Sequence, residues 1–142
     1  IDKEEEKKPE NVTRRLKAAG VVVSAFVDPE PDQIAASRAA GCDAVELHTG
    51  AYANAWMMPD GRQGPASAVA VELAKLRDGL AAGLEQGLVV HAGHGLTYHN
   101  VRPVAAMEGF GEFNIGHSII ARAVFTGLRA ATAEMKRLVA GG

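Results

Sequence analysis

The most informative segment of the sequence is Gly87-Leu-Val-Val-His-Ala-Gly-His-Gly-Leu-Thr-Tyr-His-Asn100. Residues 87–90 form an apolar run with the length and composition of a buried strand, so the histidines and glycines that follow fall on the turn at its carboxyl end. In α/β folds that end of a strand holds the active site. His94 lies between Gly93 and Gly95, which tolerate unusual backbone angles and let a ligand approach the main chain closely. An imidazole held there can exchange protons near neutral pH, which makes His94 the first candidate catalytic residue.

The composition limits the classes of protein to which this segment can belong. The chain has 142 residues, 47% of them hydrophobic, and sixteen glycines, which suits a single α/β domain. A net charge of −2 produces no field that would attract nucleic acid or an anionic membrane surface. No apolar segment approaches the roughly 20 residues needed to span a bilayer. The single cysteine, Cys42, has no partner for an internal disulfide, which indicates a reduced cytoplasmic protein.

The rest of the chain alternates between strand and helix patterns. The charged run at residues 2–8 predicts a solvated helix face. Strands are predicted at residues 21–27, 43–48, 87–90 and 112–115. Helices are predicted at residues 12–19, 69–84, 101–107, 119–125 and 128–138, and a further short helix is predicted to end at Gly41. Asn100 is the predicted cap of the helix at residues 101–107. A helix followed by four strand-helix units implies a parallel sheet.

Two closures of such a sheet compete. One is an open doubly wound sheet, and the other is part of a (β/α)₈ barrel, which typically needs about 250 residues. The sequence predicts an extra short helix after the fourth strand, preceded by a turn at Gly116 and His117. Barrel phosphate sites commonly use the loop after the last strand and the N-terminus of such a helix. This feature favours the barrel.

The chemically suggestive residues cluster at predicted strand ends. Glu46 and His48 are two positions apart in one strand and therefore point to the same side. If that side is the barrel interior, Glu46 faces the same cavity as His94 and could polarise an imine or carbonyl or stabilise a developing cation. The alternatives without a catalytic role are a buried ion pair for Glu46 and ordinary structural roles for His48 and His91. A metal site is disfavoured because the sequence has no His-x-x-x-His helix and no cysteine pair.

Four stretches carry a specific resemblance to a known family. They are residues 46–53 (ELHTGAYA), 92–101 (AGHGLTYHNV), 113–124 (FNIGHSIIARAV) and 134–138 (EMKRL). Together they resemble the pyridoxine 5′-phosphate synthase family of vitamin B6 biosynthesis, and the match covers only the carboxyl-terminal half of that family. The resemblance implies a cytoplasmic homo-octamer of (β/α)₈ barrels in which these four strands are strands five to eight. It further implies condensation of 1-deoxy-D-xylulose 5-phosphate with 3-amino-2-oxopropyl phosphate, releasing phosphate and water, with no redox cofactor and no obligatory metal.

The same resemblance assigns roles to individual positions. His94 matches the family's general acid, and Glu46 matches the carboxylate that stabilises the transition state. Gly95 matches a substrate contact. Gly116 and His117 match the pair that holds a phosphate through the main chain.

Two departures from the family pattern shape what we expect of the chain. The family's amino-terminal half supplies a further catalytic His and Glu, so residues 1–142 are expected to be half of one barrel domain, inactive alone, with the missing half supplied by another segment, chain or partner. Residues 56–65 also form a longer loop than the family's, and Trp56 with the adjacent Met pair is expected to be exposed as a subunit contact or a lid.

Two other functions remain open at this point. The chain could be a catalytically idle half-barrel that serves as an assembly or phosphate-binding module. It could also be an unrelated sugar-phosphate isomerase or aldolase, although the barrel aldolases used for comparison carry a strand lysine and no predicted strand here has one.

Overall fold

Strands and helices alternate along the chain, as the sequence predicts. The computed structural model describes residues 8–141, so the charged run at residues 2–7 lies outside the described part. The strands are β1 Ser24–Val27, β2 Ala44–His48, β3 Val89–Gly93 and β4 Phe110–Asn114. The helices are α1 Pro9–Ala18, α2 Pro31–Ala39, α3 Gly50–Met57, α4 Ala68–Glu85, α5 Val101–Ala105, α6 His117–Thr126 and α7 Leu128–Val139.

The four strands form one sheet in the order β1-β2-β3-β4, and every neighbouring pair is parallel. Connections between parallel strands are almost always right-handed, so crossovers that all step in the same direction place their helices on one face of the sheet. A doubly wound sheet instead reverses direction and carries helices on both faces. The chain is therefore an α/β protein whose sheet is compatible with part of a TIM-type barrel.

The two faces of the sheet differ in how they are covered. On one face α4 lies so close to the sheet that a Cβ added at Gly83 would approach Val90 Cγ2 to 2.6 Å. Val90 and its neighbours Val45 and Leu47 are completely buried there. On the opposite face Phe26 is 54% exposed. Parallel sheets are normally covered on both faces, and within residues 8–141 this sheet is covered well on only one.

Helix α4 supplies much of the covered face. The Ser67 side chain caps it by accepting a hydrogen bond from the Ala70 N–H at 3.2 Å. Apolar residues spaced three or four positions apart along α4 face the core, and the buried ones are Val69, Leu76 and Leu80. Leu84 in the last turn is exposed. Neither α4 nor any other helix within residues 8–141 is both long and apolar enough to cross a membrane.

Several predicted boundaries were wrong. Strand β3 begins at Val89 because Gly87, with a φ of 72°, is used to leave α4. The strand then continues to Gly93, so His91 lies inside it rather than on the turn. Strand β1 starts at Ser24, three residues later than predicted. The sequence also gave no sign of α3, and β4 and α6 each begin two residues earlier than predicted.

Trp56 is not exposed as expected. It ends up half-buried at the end of α3, packed against the core, with its ring centroid 5.9 Å from that of Tyr52. The Arg62 guanidinium lies 5.3 Å above the indole, and its Nη1 donates a hydrogen bond to the Trp56 carbonyl at 2.8 Å. Met57 and Met58 are exposed. The first residue of the longer loop is therefore anchored to the core, and the methionine pair that follows projects from it.

Candidate active site

A cavity of about 730 Å³ opens at the carboxyl edge of the sheet. It lies between the ends of β2, β3 and β4 and the first turns of α3 and α6. Every residue to which the sequence assigned a site role lines this cavity: Glu46, His94, Gly95, Gly116 and His117. His48 and Asn114 line it as well. The strand topology therefore brings together side chains that are up to 71 positions apart in sequence, from 46 to 117.

Glu46 reaches the cavity because of strand alternation. Its neighbours Val45 and Leu47 are buried under the helices, so Glu46 and His48 project from the other face. The Glu46 Oε2 accepts a hydrogen bond from Asn114 Nδ2 at 2.8 Å. Its Oε1 lies directly beside Gly93 on the neighbouring strand, where an added Cβ would collide with it. Within the described residues the carboxylate has an amide partner, and no ion pair holds it, which removes the main reason for reading it as a structural salt bridge.

His94 has an unusual backbone conformation. Its φ is 82°, and it is the only non-glycine residue with a positive φ in the described part of the chain. Such angles are rare for residues with a Cβ and persist where the surroundings hold them. Gly95 follows with a φ of 78°, and a Cβ there would approach Ala53 Cβ to 2.7 Å. The turn that carries His94 is therefore packed tightly against the first turns of α3.

His48 lies beside His94 at the rim of the cavity. The two ring centroids are 4.9 Å apart in a T-shaped arrangement, and the ring of Phe26 is 5.0 Å from that of His48. The Nδ1 of His48 is 3.2 Å from Asp28 Oδ1, which follows β1. A carboxylate on one ring nitrogen fixes the orientation of an imidazole and leaves the other nitrogen for a second contact.

The loop after His94 is fixed by Asn100, which is buried. Its Oδ1 accepts from the Thr97 N–H at 2.6 Å, and its Nδ2 donates to the Gly95 carbonyl at 3.3 Å. Asn100 occupies the N-cap position of α5 as predicted, but its side chain makes no capping hydrogen bond to that helix. The Tyr52 hydroxyl donates to the Asn100 carbonyl at 2.6 Å, and burial raises the pKa of Tyr52 to about 12, which keeps this donor protonated.

The N-terminus of α6 closes the far side of the cavity. Gly116 precedes the helix and His117 is its first residue. No side chain caps the first-turn N–H groups, and the Ser118 hydroxyl instead donates to the Leu96 carbonyl at 2.9 Å. Free main-chain N–H groups at the start of a helix attract anions, because they combine hydrogen-bond donors with the positive end of the helix dipole.

Two other histidines do not belong to the cavity. His91 lies deeper in the sheet, with its Nε2 4.0 Å from Glu112 Oε1 and with no hydrogen-bond partner for its Nδ1 among residues 8–141. His99 is exposed on the loop before α5. Within the same residues, no group of three or more His, Cys, Asp or Glu side chains converges as metal ligands would. Neither histidine lines the cavity, so neither is part of the candidate site.

The sequence did not reveal three residues that support the site. Asn114 is the hydrogen-bond partner of Glu46, and its position just before Gly116 was a usable signal. Thr49 is completely buried beneath His94, with its hydroxyl near two main-chain carbonyls. Asp28 lies in the proline-rich turn between β1 and α2. Nothing in the sequence indicated its contact with His48.

The position of the cavity places the chain among the α/β proteins that bind ligands at the carboxyl ends of parallel strands. Comparison with known proteins narrows that class. The family model described as pyridoxal phosphate biosynthesis protein PdxJ matches residues 2–141, and the chain belongs to this family of biosynthetic enzymes.

A curated relative agrees with the family assignment. The pyridoxine 5′-phosphate synthase of Syntrophotalea carbinolica is 52% identical over 126 residues, which make up 89% of this chain and 49% of that protein. The chain thus spans about half the length of the curated relative it matches. The resemblance drawn from the four sequence motifs is confirmed.

Proposed function

We propose that the chain supplies the carboxyl-terminal half of a (β/α)₈ barrel, with β1 to β4 serving as barrel strands five to eight. The one-sided sheet supports this arrangement, because closing the barrel would cover the face that exposes Phe26 and Val89. It would also remove the two sheet edges at β1 and β4, which soluble proteins avoid leaving open. The remaining half-barrel is then an obligatory partner of residues 1–142.

The proposed activity is that of pyridoxine 5′-phosphate synthase. This enzyme condenses 1-deoxy-D-xylulose 5-phosphate with 3-amino-2-oxopropyl phosphate to give pyridoxine 5′-phosphate, phosphate and water. Forming the ring requires oxygen leaving groups to be protonated, and it passes through carbonyl and imine centres that develop positive charge. The observation that carries the proposal is that Glu46, His94 and the uncapped N-terminus of α6 line the same cavity.

Each residue has a specific role in this scheme. His94 is the general acid that protonates a departing oxygen, and the fixed turn holds its imidazole towards the cavity. The Glu46 carboxylate stabilises the positive charge that develops in the transition state. Gly95 allows the substrate to contact the main chain. Gly116 and His117 hold a substrate phosphate through their main-chain N–H groups.

The wider setting of the protein is also part of the proposal. The reaction uses no redox cofactor and no obligatory metal, and the substrates are small phosphorylated molecules rather than nucleic acid or lipid. The resemblance to the family further implies that the protein is a cytoplasmic homo-octamer. Native mass spectrometry of the natural gene product tests the assembly: a mass of eight subunits agrees with it, and a monomer contradicts it.

The activity is tested by measuring pyridoxine 5′-phosphate formation from the two substrates with the natural gene product. Asparagine tolerates a positive φ but has no ring nitrogen to donate a proton at neutral pH, so H94N is a sharp test. We expect its kcat to fall by about 10² or more. H99N is the matched control, because His99 is exposed outside the cavity, and its kcat should stay within about twofold of wild type. An H94N protein with wild-type turnover would contradict the assignment.

A second experiment tests whether residues 1–142 need the other half of the barrel for activity. Residues 1–142 are assayed alone and together with the amino-terminal half of the Syntrophotalea relative, supplied as a separate chain. We expect turnover only from the mixture. Full turnover by residues 1–142 alone would refute the half-barrel, and phosphate binding without turnover in both samples would favour an idle binding module instead.

A further inference from the structure

The turn that carries His94 rests on Thr49, which connects β2 to α3. Thr49 is completely buried. Its Oγ1 lies 2.7 Å from the carbonyl oxygen of Gly93 and 2.5 Å from that of His94. Its main-chain N–H donates to the Gly93 carbonyl at 2.8 Å. The residue that follows β2 therefore contacts two successive carbonyl groups at the end of β3.

These contacts are made where the backbone needs support. His94 is the only non-glycine residue with a positive φ in the described part of the chain. Residues with a Cβ keep such angles only where the surrounding structure holds them. The carbonyls that Thr49 contacts lie on either side of this φ, so fixing them fixes the direction in which the imidazole leaves the main chain.

We propose that Thr49 is a positioning residue for His94. Its one hydroxyl proton is shared between the carbonyls of Gly93 and His94, and its main-chain N–H also donates to the Gly93 carbonyl. These contacts keep the imidazole directed into the cavity. The inference rests on the proposed function, in which His94 is the general acid. Thr49 itself touches no substrate, because it is buried beneath the turn.

The residue before Thr49 supports the ring in the same way. The T-shaped contact between His48 and His94 limits rotation of the His94 imidazole, and Asp28 in turn orients His48. The main chain of His94 is thus held from below by Thr49, and its ring is held from the side by His48.

If the role of Thr49 were purely structural, its hydroxyl would affect stability but not catalysis. Ser37 on α2 provides a control that separates a positioning role from a structural one. Ser37 is also buried, and its hydroxyl donates to the Gln33 carbonyl at 2.8 Å, away from the cavity. Removing either hydroxyl should lower the free energy of unfolding. Only removal of the Thr49 hydroxyl should change catalysis.

The test uses T49V, T49S and S37A in the natural gene product. Valine keeps the shape of threonine without its hydroxyl, and serine keeps the hydroxyl. We expect kcat of T49V to fall by about 10-fold or more with KM changed less, because small displacements of a catalytic group are costly. T49S should stay within about threefold of wild type, and S37A should lose stability with unchanged kcat. The double variant T49V/H94N should be no slower than H94N.

A readout that does not depend on activity is the NMR signal of the His94 ring. T49V should shift it more than the ring signal of His117, and S37A should shift neither. If T49V does not fold, the same comparison is made with T49A.

A T49V protein with wild-type kcat beside an impaired H94N protein would overturn the inference alone. Wild-type kcat in H94N would overturn the proposed function as well, so the two failures are distinguishable.

Discussion

The two ends of the parallel sheet are built from different kinds of contact. At the amino end, Asp43 joins α1 to the sheet through partly exposed groups, with Lys17 Nζ at 2.7 Å and the Val23 N–H at 3.0 Å. At the carboxyl end, Glu46 and His94 are held by an amide, a buried hydroxyl and glycines. One end is therefore arranged to hold the chain together, and the other holds the proposed catalytic side chains in place.

The largest effect is expected from G93A at the carboxyl end. An added Cβ would collide with Glu46 Oε1 and approach Asn114 Cβ to 3.1 Å, so the carboxylate must move. We expect kcat for pyridoxine 5′-phosphate formation to fall by about 10². G111A is the matched strand glycine, because its Cβ would meet only the side chains of Val89 and His91 at 3.1 to 3.4 Å. Equal kcat losses in the two variants would show that Glu46 is not specifically placed by Gly93.

A smaller effect is expected from N114A, which removes the hydrogen bond to Glu46 without forcing the carboxylate to move. We expect kcat to fall by about 10-fold with little change in the unfolding midpoint. N114D sharpens the test, because it replaces the amide donor with a second carboxylate that repels Glu46. Its kcat should therefore fall further than that of N114A. Equal kcat values in N114D and N114A would mean that the charge on Glu46 is not needed.

The smallest effect on activity is expected at the amino end, from D43N. The hydrogen bond from Lys17 lowers the pKa of Asp43, with further contributions from the Val23 N–H and from the charges of Lys17 and Arg38, against an opposing effect of burial. A carboxyl whose pKa in the folded protein is below its ordinary value of 3.8 adds stability that is fully present well above pH 3.8. That stability is lost as the pH falls from there through the lowered pKa of the folded protein.

The D43N midpoint should therefore be lower than wild type by no more than a few degrees at neutral pH, with a flatter dependence on pH in the acid range. Its kcat should stay within about twofold of wild type. A large loss of activity in D43N would break the division between the two ends.

The sequence predicted which residues lie at the carboxyl end of the sheet better than it predicted their detailed contacts. Alternating apolar runs identified the four strands, and parallel strands necessarily bring their carboxyl ends to one edge. The positions of Glu46, His94 and His117 on one cavity follow from that rule together with the alternation of side chains along β2. Glycine signals were harder to read, because Gly87 ends α4 while Gly93 belongs to a strand and makes room for Glu46.

The contacts between distant residues could not be predicted. Asp28 and His48 are 20 positions apart, and Thr49 and His94 are 45 apart, so only the folded sheet brings them together. Helix α3 was missed because its alanine-rich sequence has little amphipathic pattern and begins at Gly50, a residue that usually ends structure. The exposure of Trp56 was wrongly predicted because Tyr52, whose ring lies 5.9 Å from the indole, is outside the run that defined the loop. Arg62 belongs to that run, but only the folded chain brings its guanidinium over the indole.

The most direct test of the site is a crystal structure of the natural gene product with bound 1-deoxy-D-xylulose 5-phosphate. We predict that the phosphate lies against the main-chain N–H groups of Gly116 and His117, with a substrate oxygen within hydrogen-bond distance of the His94 ring and with Glu46 facing the same molecule. A phosphate bound elsewhere on the protein, or a His94 ring turned out of the cavity, would contradict the account.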